Sequence, residues 1–142
     1  MWRITGILFL LATLLSVGNG LAVAQQDRDQ DEEHLTKVKL FTFGGIGLLG
    51  MRSKEERTYD NIMSRLSREA ILERVFAAGT VEAKCYALVG IYILDRARYG
   101  ALAAAVRSSK EKVNNARGCV FGETTLGEVI RNIDAGKYAH YV

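Results

Sequence analysis

Hydrophobic and polar positions divide the chain into a long uncharged run, a short acidic run and a series of amphipathic segments. Ile7–Val17 is an uncharged, largely apolar stretch preceded by Arg3, and Asn19-Gly20 breaks it. Gln25–Glu33 then carries five acids, one Arg and no apolar residue, which predicts a solvated, disordered tail over 25–34. In Leu35–Phe43, Lys37 and Lys39 alternate with Val38 and Leu40, the period of a short strand. Beyond it the period becomes helical. Ser53 with Glu56 has capping-box spacing, and Tyr59, Ile62, Met63 and Leu66 fall on one stripe. Ile71, Leu72, Val75 and Phe76 mark a second helix over Arg68–Ala78, stopped by Gly79. Thr80 caps a third helix, whose Cys85–Leu94 stretch is apolar on nearly every side and so is expected at the centre. Asp95 separates it from a fourth helix near Arg98–Arg107, with Leu102, Ala103 and Val106 inward. Lys112–Phe121 reads as a loop with a short strand at Gly118–Phe121. A last helix opens at Thr125 with Glu128, buries Leu126, Val129, Ile130 and Ile133, and stops at Gly136.

The predicted fold is therefore mainly α: about five helices in αα-hairpins, packed as one small domain with a short N-terminal strand. Helix starts near Ser53 and Thr80 suggest stacked hairpins, without the similarity a repeat architecture demands. The absence of proline from all 142 residues fits a helical domain punctuated by glycine.

The N-terminal pattern bears on location. A basic residue, an apolar core of this length and the small residues Ala22-Val23-Ala24 predict a secretory signal over 1–24, cleaved after Ala24. The alternative is an uncleaved anchor, since about 20 uncharged residues suffice to span a bilayer. Against it stand the break at Gly18-Asn19-Gly20 and the lack of a basic flank. Cleavage makes the protein exported, periplasmic or secreted, with a single helical domain over 35–142 and no stable membrane insertion. It also removes Trp2, the one tryptophan. An exported chain with an even cysteine count predicts a disulfide between Cys85 and Cys119. Closing a loop of about 35 residues would contribute roughly 4 kcal/mol on the chain-entropy account.

Charge narrows the partners. Of 19 basic residues only Arg3 lies in the signal, so 18 against 16 acids leaves +2. That balance offers no concentrated basic surface for nucleic acid. One local excess exists: Arg96, Arg98, Arg107, Lys110, Lys112 and Arg117 against Glu111 alone, a possible anion-facing patch or a solvated face. Gly45-Ile46-Gly47-Leu48-Leu49-Gly50 matches GxGxxG, but no helix starts within it and no second strand follows, so no nucleotide cofactor is expected. Its glycines are read as a tight turn that lays an apolar loop on the helices. FTFGGIGLLGM is also apolar enough to be membrane-active, but it is too short to span and a core-packing role is the favoured reading. His34, His140, Cys85 and Cys119 lack the paired spacing of a metal site, so no metal is expected. No nucleophile elbow or Ser-x-x-Lys appears, and no catalytic residue is assigned.

The strand-like lead into FGGIG with Ser53-Lys54-Glu55-Glu56, the helix with Tyr86-Ala87-Leu88-Val89-Gly90 and the late Gly118-Cys119 together resemble small exported bacterial proteins of unknown function. The resemblance implies an exported location, a helical fold and no defined activity. The expectation is a non-enzymatic binding or structural accessory protein of the cell envelope or secreted fraction, its partner an unknown protein or envelope component. The alternatives are a small envelope enzyme or enzyme inhibitor, or a membrane-associated module with the N-terminal anchor retained.

Overall fold

A three-stranded sheet packs with the helices, and two of its strands contribute to the buried core. A computed structural model describes residues 30–141, so the signal expected over 1–24 and residues 25–29 of the acidic run lie outside it. A helical segment ends at residue 36. It is followed by β1 (Phe41–Ile46), α1 (Lys54–Met63), α2 (Arg68–Ala78), α3 (Val81–Leu94), α4 (Arg96–Val106), β2 (Lys112–Gly118), β3 (Val120–Thr125) and α5 (Leu126–Asp134). The sheet order is β1-β2-β3. β1 runs parallel to β2, with four helices in the crossover, and β2 pairs antiparallel with β3 from Lys112↔Thr125 to Arg117↔Val120.

The mainly α expectation, with one short strand among αα-hairpins, is thus overturned by a mixed sheet. The reason lies in β2. Its sequence, KVNNARG, buries only Val113 and Ala116, and asparagine is depleted in strands, so no local period announces it. Pairing with β1 and β3 makes it a strand. Gly118, at φ +58°, takes the first place of the two-residue Gly118-Cys119 loop, a conformation hairpin turns demand. β1 itself starts six residues later than the alternation suggested, because Leu35 and Thr36 finish the preceding helical segment. Residues 30–34, read as tail, are helical too. Asp31 pairs with Arg65, and Glu32 accepts two bonds from Arg74 at 2.7 Å, tying the segment to the α1–α2 connection and to α2.

The helix signals stand where the periodicity put them. Ser53 Oγ accepts from Glu56 N–H at 3.0 Å, Thr80 Oγ1 from Ala83 at 3.2 Å, Asp95 Oδ1 from Arg98 at 2.9 Å and Thr125 Oγ1 from Glu128 at 3.3 Å. The reciprocal half of the first capping box goes elsewhere. Glu56 is buried, and its Oε1 accepts from Gly44 N–H at 3.3 Å, which clamps the end of β1 to α1. Leu66 leaves the expected stripe: α1 ends at Met63, and Leu66 is exposed in the turn to α2. In α5 all four stripe residues are buried, each contributing about 1.5–3 kcal/mol of transfer free energy. That burial, rather than intrinsic propensity, holds so short a helix.

α3 is the centre of the molecule. Ten of its 14 residues are buried, and it packs against α2, α4, α5, β1 and β2. Tyr86 joins it to the sheet. Its hydroxyl donates to Thr42 C=O at 2.9 Å and accepts from Thr42 N–H at 3.0 Å. Phe41, Phe43, Tyr59, Tyr86, Tyr138 and Tyr141 form a continuous aromatic cluster around that joint, with ring centroids 5.1–5.7 Å apart.

Candidate functional site

The glycine-rich turn after β1 places large apolar side chains in water. Ile46 and Met51 exchange backbone hydrogen bonds at 2.8 and 3.1 Å, closing the four-residue loop Gly47–Gly50. Gly45 makes this possible. At φ +84°, a Cβ there would sit 2.3 Å from Gly50 C=O, so only glycine fits. Gly47 N–H donates to Gly118 C=O at 2.9 Å, which joins this turn to the β2–β3 hairpin turn. The two turns form one tip.

On that tip Leu48 is 96% exposed and Leu49 86%, with Met51, Val120 and Phe121 also well exposed. Scattered exposed apolar side chains are ordinary, but five on two bonded turns form a patch of the kind that marks an interaction site. A groove of about 580 Å³ lies here, with Ile46 and Met51 on one side and Cys119 and Phe121 on the other. The expected apolar loop therefore divides: Phe41 and Phe43 enter the core, while Leu48, Leu49 and Met51 turn away from it instead of lying on the helices.

The tip has a basic fringe. Arg52, Lys54 and Arg117 flank it, and neither 42–54 nor 112–122 contains an Asp or Glu. Arg52 is held by Asp60, with Glu56 a further 3.8 Å contact. Within the GxGxxG stretch the amides of Ile46, Gly47 and Gly50 are bonded inside the protein, which makes these residues part of a structural turn.

The six residues of the basic run do not gather on one face of one element. Arg96 lies over the Tyr92 ring at 3.4 Å, Arg98 donates to Glu73 at 2.5 Å, Arg107 to Asp134 at 2.5 Å and Lys112 to Glu123 at 2.9 Å. The Arg107 guanidinium holds the Asp134 carboxyl below its ordinary range, opposed by partial burial and helped by the Tyr99 hydroxyl. Lys110 is exposed after α4, and Arg117 alone of the six joins the tip.

The disulfide expectation is overturned, since both cysteines are free. Cys85 is fully buried on α3, where burial, reinforced by Glu82, pushes its thiol well up. Cys119 is exposed at the hairpin turn. Strand pairing and the burial of Val113, rather than a covalent bond, hold Lys112–Phe121 to the core. His34 lies in the helical segment before β1 and His140 beside Tyr141, and among the described residues no group of three or more His, Cys, Asp or Glu is positioned to hold a metal. Sequence reading noted the segment as apolar enough to be membrane-active but laid its loop on the helices, and it missed the contribution of Val120 and Phe121, which the fold brings beside it.

No protein-family model matches the chain, nor does a curated protein or a solved structure.

Proposed function

We propose that this is an exported, non-enzymatic protein that docks on the surface of an anionic membrane through the tip formed by Leu48, Leu49, Met51, Val120 and Phe121. The observation that carries this reading is the pairing of five exposed apolar side chains with the basic residues Arg52, Lys54 and Arg117, of which Arg52 is ion-paired to Asp60. Apolar side chains gain free energy by entering the boundary between headgroups and acyl chains, while Lys and Arg near an anionic surface add about 1 kcal/mol each. Arg52, Lys54 and Arg117 supply that charge, and their aliphatic stems allow the charged ends to remain among the headgroups. The backbone bonds between the two turns set the tip's shape in advance, which lowers the ordering cost of docking. Among the described residues no helix is long and apolar enough to cross a membrane, so the association proposed is peripheral.

The test is flotation of the protein with vesicles of phosphatidylglycerol and phosphatidylcholine, compared with phosphatidylcholine alone. Wild type should float with the anionic vesicles and lose binding as salt rises. A Leu48→Asp/Leu49→Asp variant, altered only at exposed positions, should stay in the soluble fraction. Because residues 1–24, if retained, would bind lipid themselves, the difference between wild type and variant is the decisive readout. Equal flotation of the two proteins, or none by either, would remove the tip from the account.

A further inference from the structure

A second cavity, of about 440 Å³, opens beside β1 and β2 beneath the C-terminal residues. That volume falls in the range of small-molecule sites. One part of its lining is aromatic. Tyr141 stacks on Phe43 at 5.2 Å with 23° between the rings, and Tyr138 meets Phe41 at 5.5 Å edge-on. The other part is polar, with the cations Arg117 and Lys137 and the His140 ring, and among the described residues no Asp or Glu lines it. These groups are differently engaged. Lys137 Nζ donates to Asn132 Oδ1 at 2.8 Å, and the His140 ring lies 4.0 Å from that of Tyr141. Arg117 makes no ion pair among the described residues, unlike Arg74, Arg98 and Arg107. The same wall holds Thr42, which is 1% exposed and whose Oγ1 is buried without a hydrogen-bond partner. A buried hydroxyl left unpaired is costly.

We propose that this cavity binds a small aromatic carboxylate, the ring against the Tyr138–Tyr141 side and the carboxylate taken by Arg117. A guanidinium matches a carboxylate through two parallel N–H donors, which a lysine ammonium cannot reproduce. The aromatic lining supplies edge and face contacts to a flat ring. The site shares Arg117 with the lipid-docking reading but uses none of the apolar side chains of the tip and needs no membrane.

The experiment is a titration of the protein with 2-naphthoate, followed by calorimetry and by amide NMR. Saturable binding should shift amides of residues 115–117 and 137–141. Arg117→Gln, which stays polar but removes the charge and the paired N–H donors at an exposed position, should weaken binding at least tenfold without changing the melting temperature. Replacing the probe by 2-naphthalenemethanol should also weaken binding tenfold or more. The Leu48→Asp/Leu49→Asp protein should bind naphthoate as wild type does, which separates failure here from failure of the membrane reading. The proposal is overturned by no shift at millimolar naphthoate, by undiminished binding to Arg117→Gln, or by loss of binding in the tip variant. Inorganic phosphate binding as tightly as naphthoate would overturn the aromatic assignment as well.

Discussion

Gly90 shows how one missing side chain sets the distance between two helices. A Cβ at this position would lie 2.5 Å from Leu72 Cδ1 and 3.2 Å from Met63 Sδ, so α3 rests on α2 at the glycine itself. Glycine inside a helix costs about 1 kcal/mol relative to alanine, and the close approach offsets that cost. The two obvious substitutions should therefore behave differently. Gly90→Leu should overpack the core and destabilise by about 1–3 kcal/mol, read as a lower urea midpoint. Gly90→Ala should be nearly neutral, because the end of Leu72 can swing aside and the helix gains what the packing loses. A Gly90→Leu protein as stable as wild type would mean that α3 and α2 separate freely at this point. Gly45 is the harder constraint, since its neighbour is Gly50 backbone, which cannot swing aside.

At the scale of elements, the helical segment ending at residue 36 depends on charges that looked like solvated tail. Glu32 meets Arg74 through two bonds of 2.7 Å. The Arg74 guanidinium holds the Glu32 carboxyl below its ordinary value of 4.5, with burial acting in the opposite direction. A folded pKa below the unfolded one stabilises at pH values above 4.5, and the contribution disappears as pH falls through the lowered value. Because the Arg74 side chain is 58% exposed and Glu32 27%, solvent screening keeps the effect below about 1 kcal/mol. Glu32→Gln should therefore melt slightly lower than wild type at neutral pH, and the two melting temperatures should converge well below pH 4.5. A gap that persists in acid would assign the loss to packing rather than charge. Asp31 and Glu32 were legible as charge, but their partners, Arg65 and Arg74, lie more than 30 residues away and only the fold brings them together.

For the molecule as a whole, the sheet and the thiols are one question. A Cys85–Cys119 bond would have pinned an irregular segment to α3, whereas the hairpin pins it by pairing and points Cys119 outward. In native protein, Ellman's reagent should find one thiol, Cys119, and the second should appear only on denaturation, because Cys85 is fully buried. The denatured, unreduced protein should titrate as two. Finding none would restore the disulfide and displace the hairpin.

Local signals determined a good deal of this protein. Three of the four side-chain caps, the stripes of α2 and α5 and the all-round apolar character that centres α3 were each readable within a few residues, because capping and helical amphipathicity are short-range physics. The sheet was decided by tertiary structure. Lys112–Gly118 has no strand period of its own, and its partners at 41–46 and 120–125 supply the backbone bonds that its sequence cannot. The tip was decided there too. An apolar turn can lie on a core or stand away from it with the same hydrophobicity. The direction followed from the glycine geometry at Gly45 and from the bond between Gly47 and Gly118, residues about seventy apart that only the parallel pairing of β1 and β2 brings together.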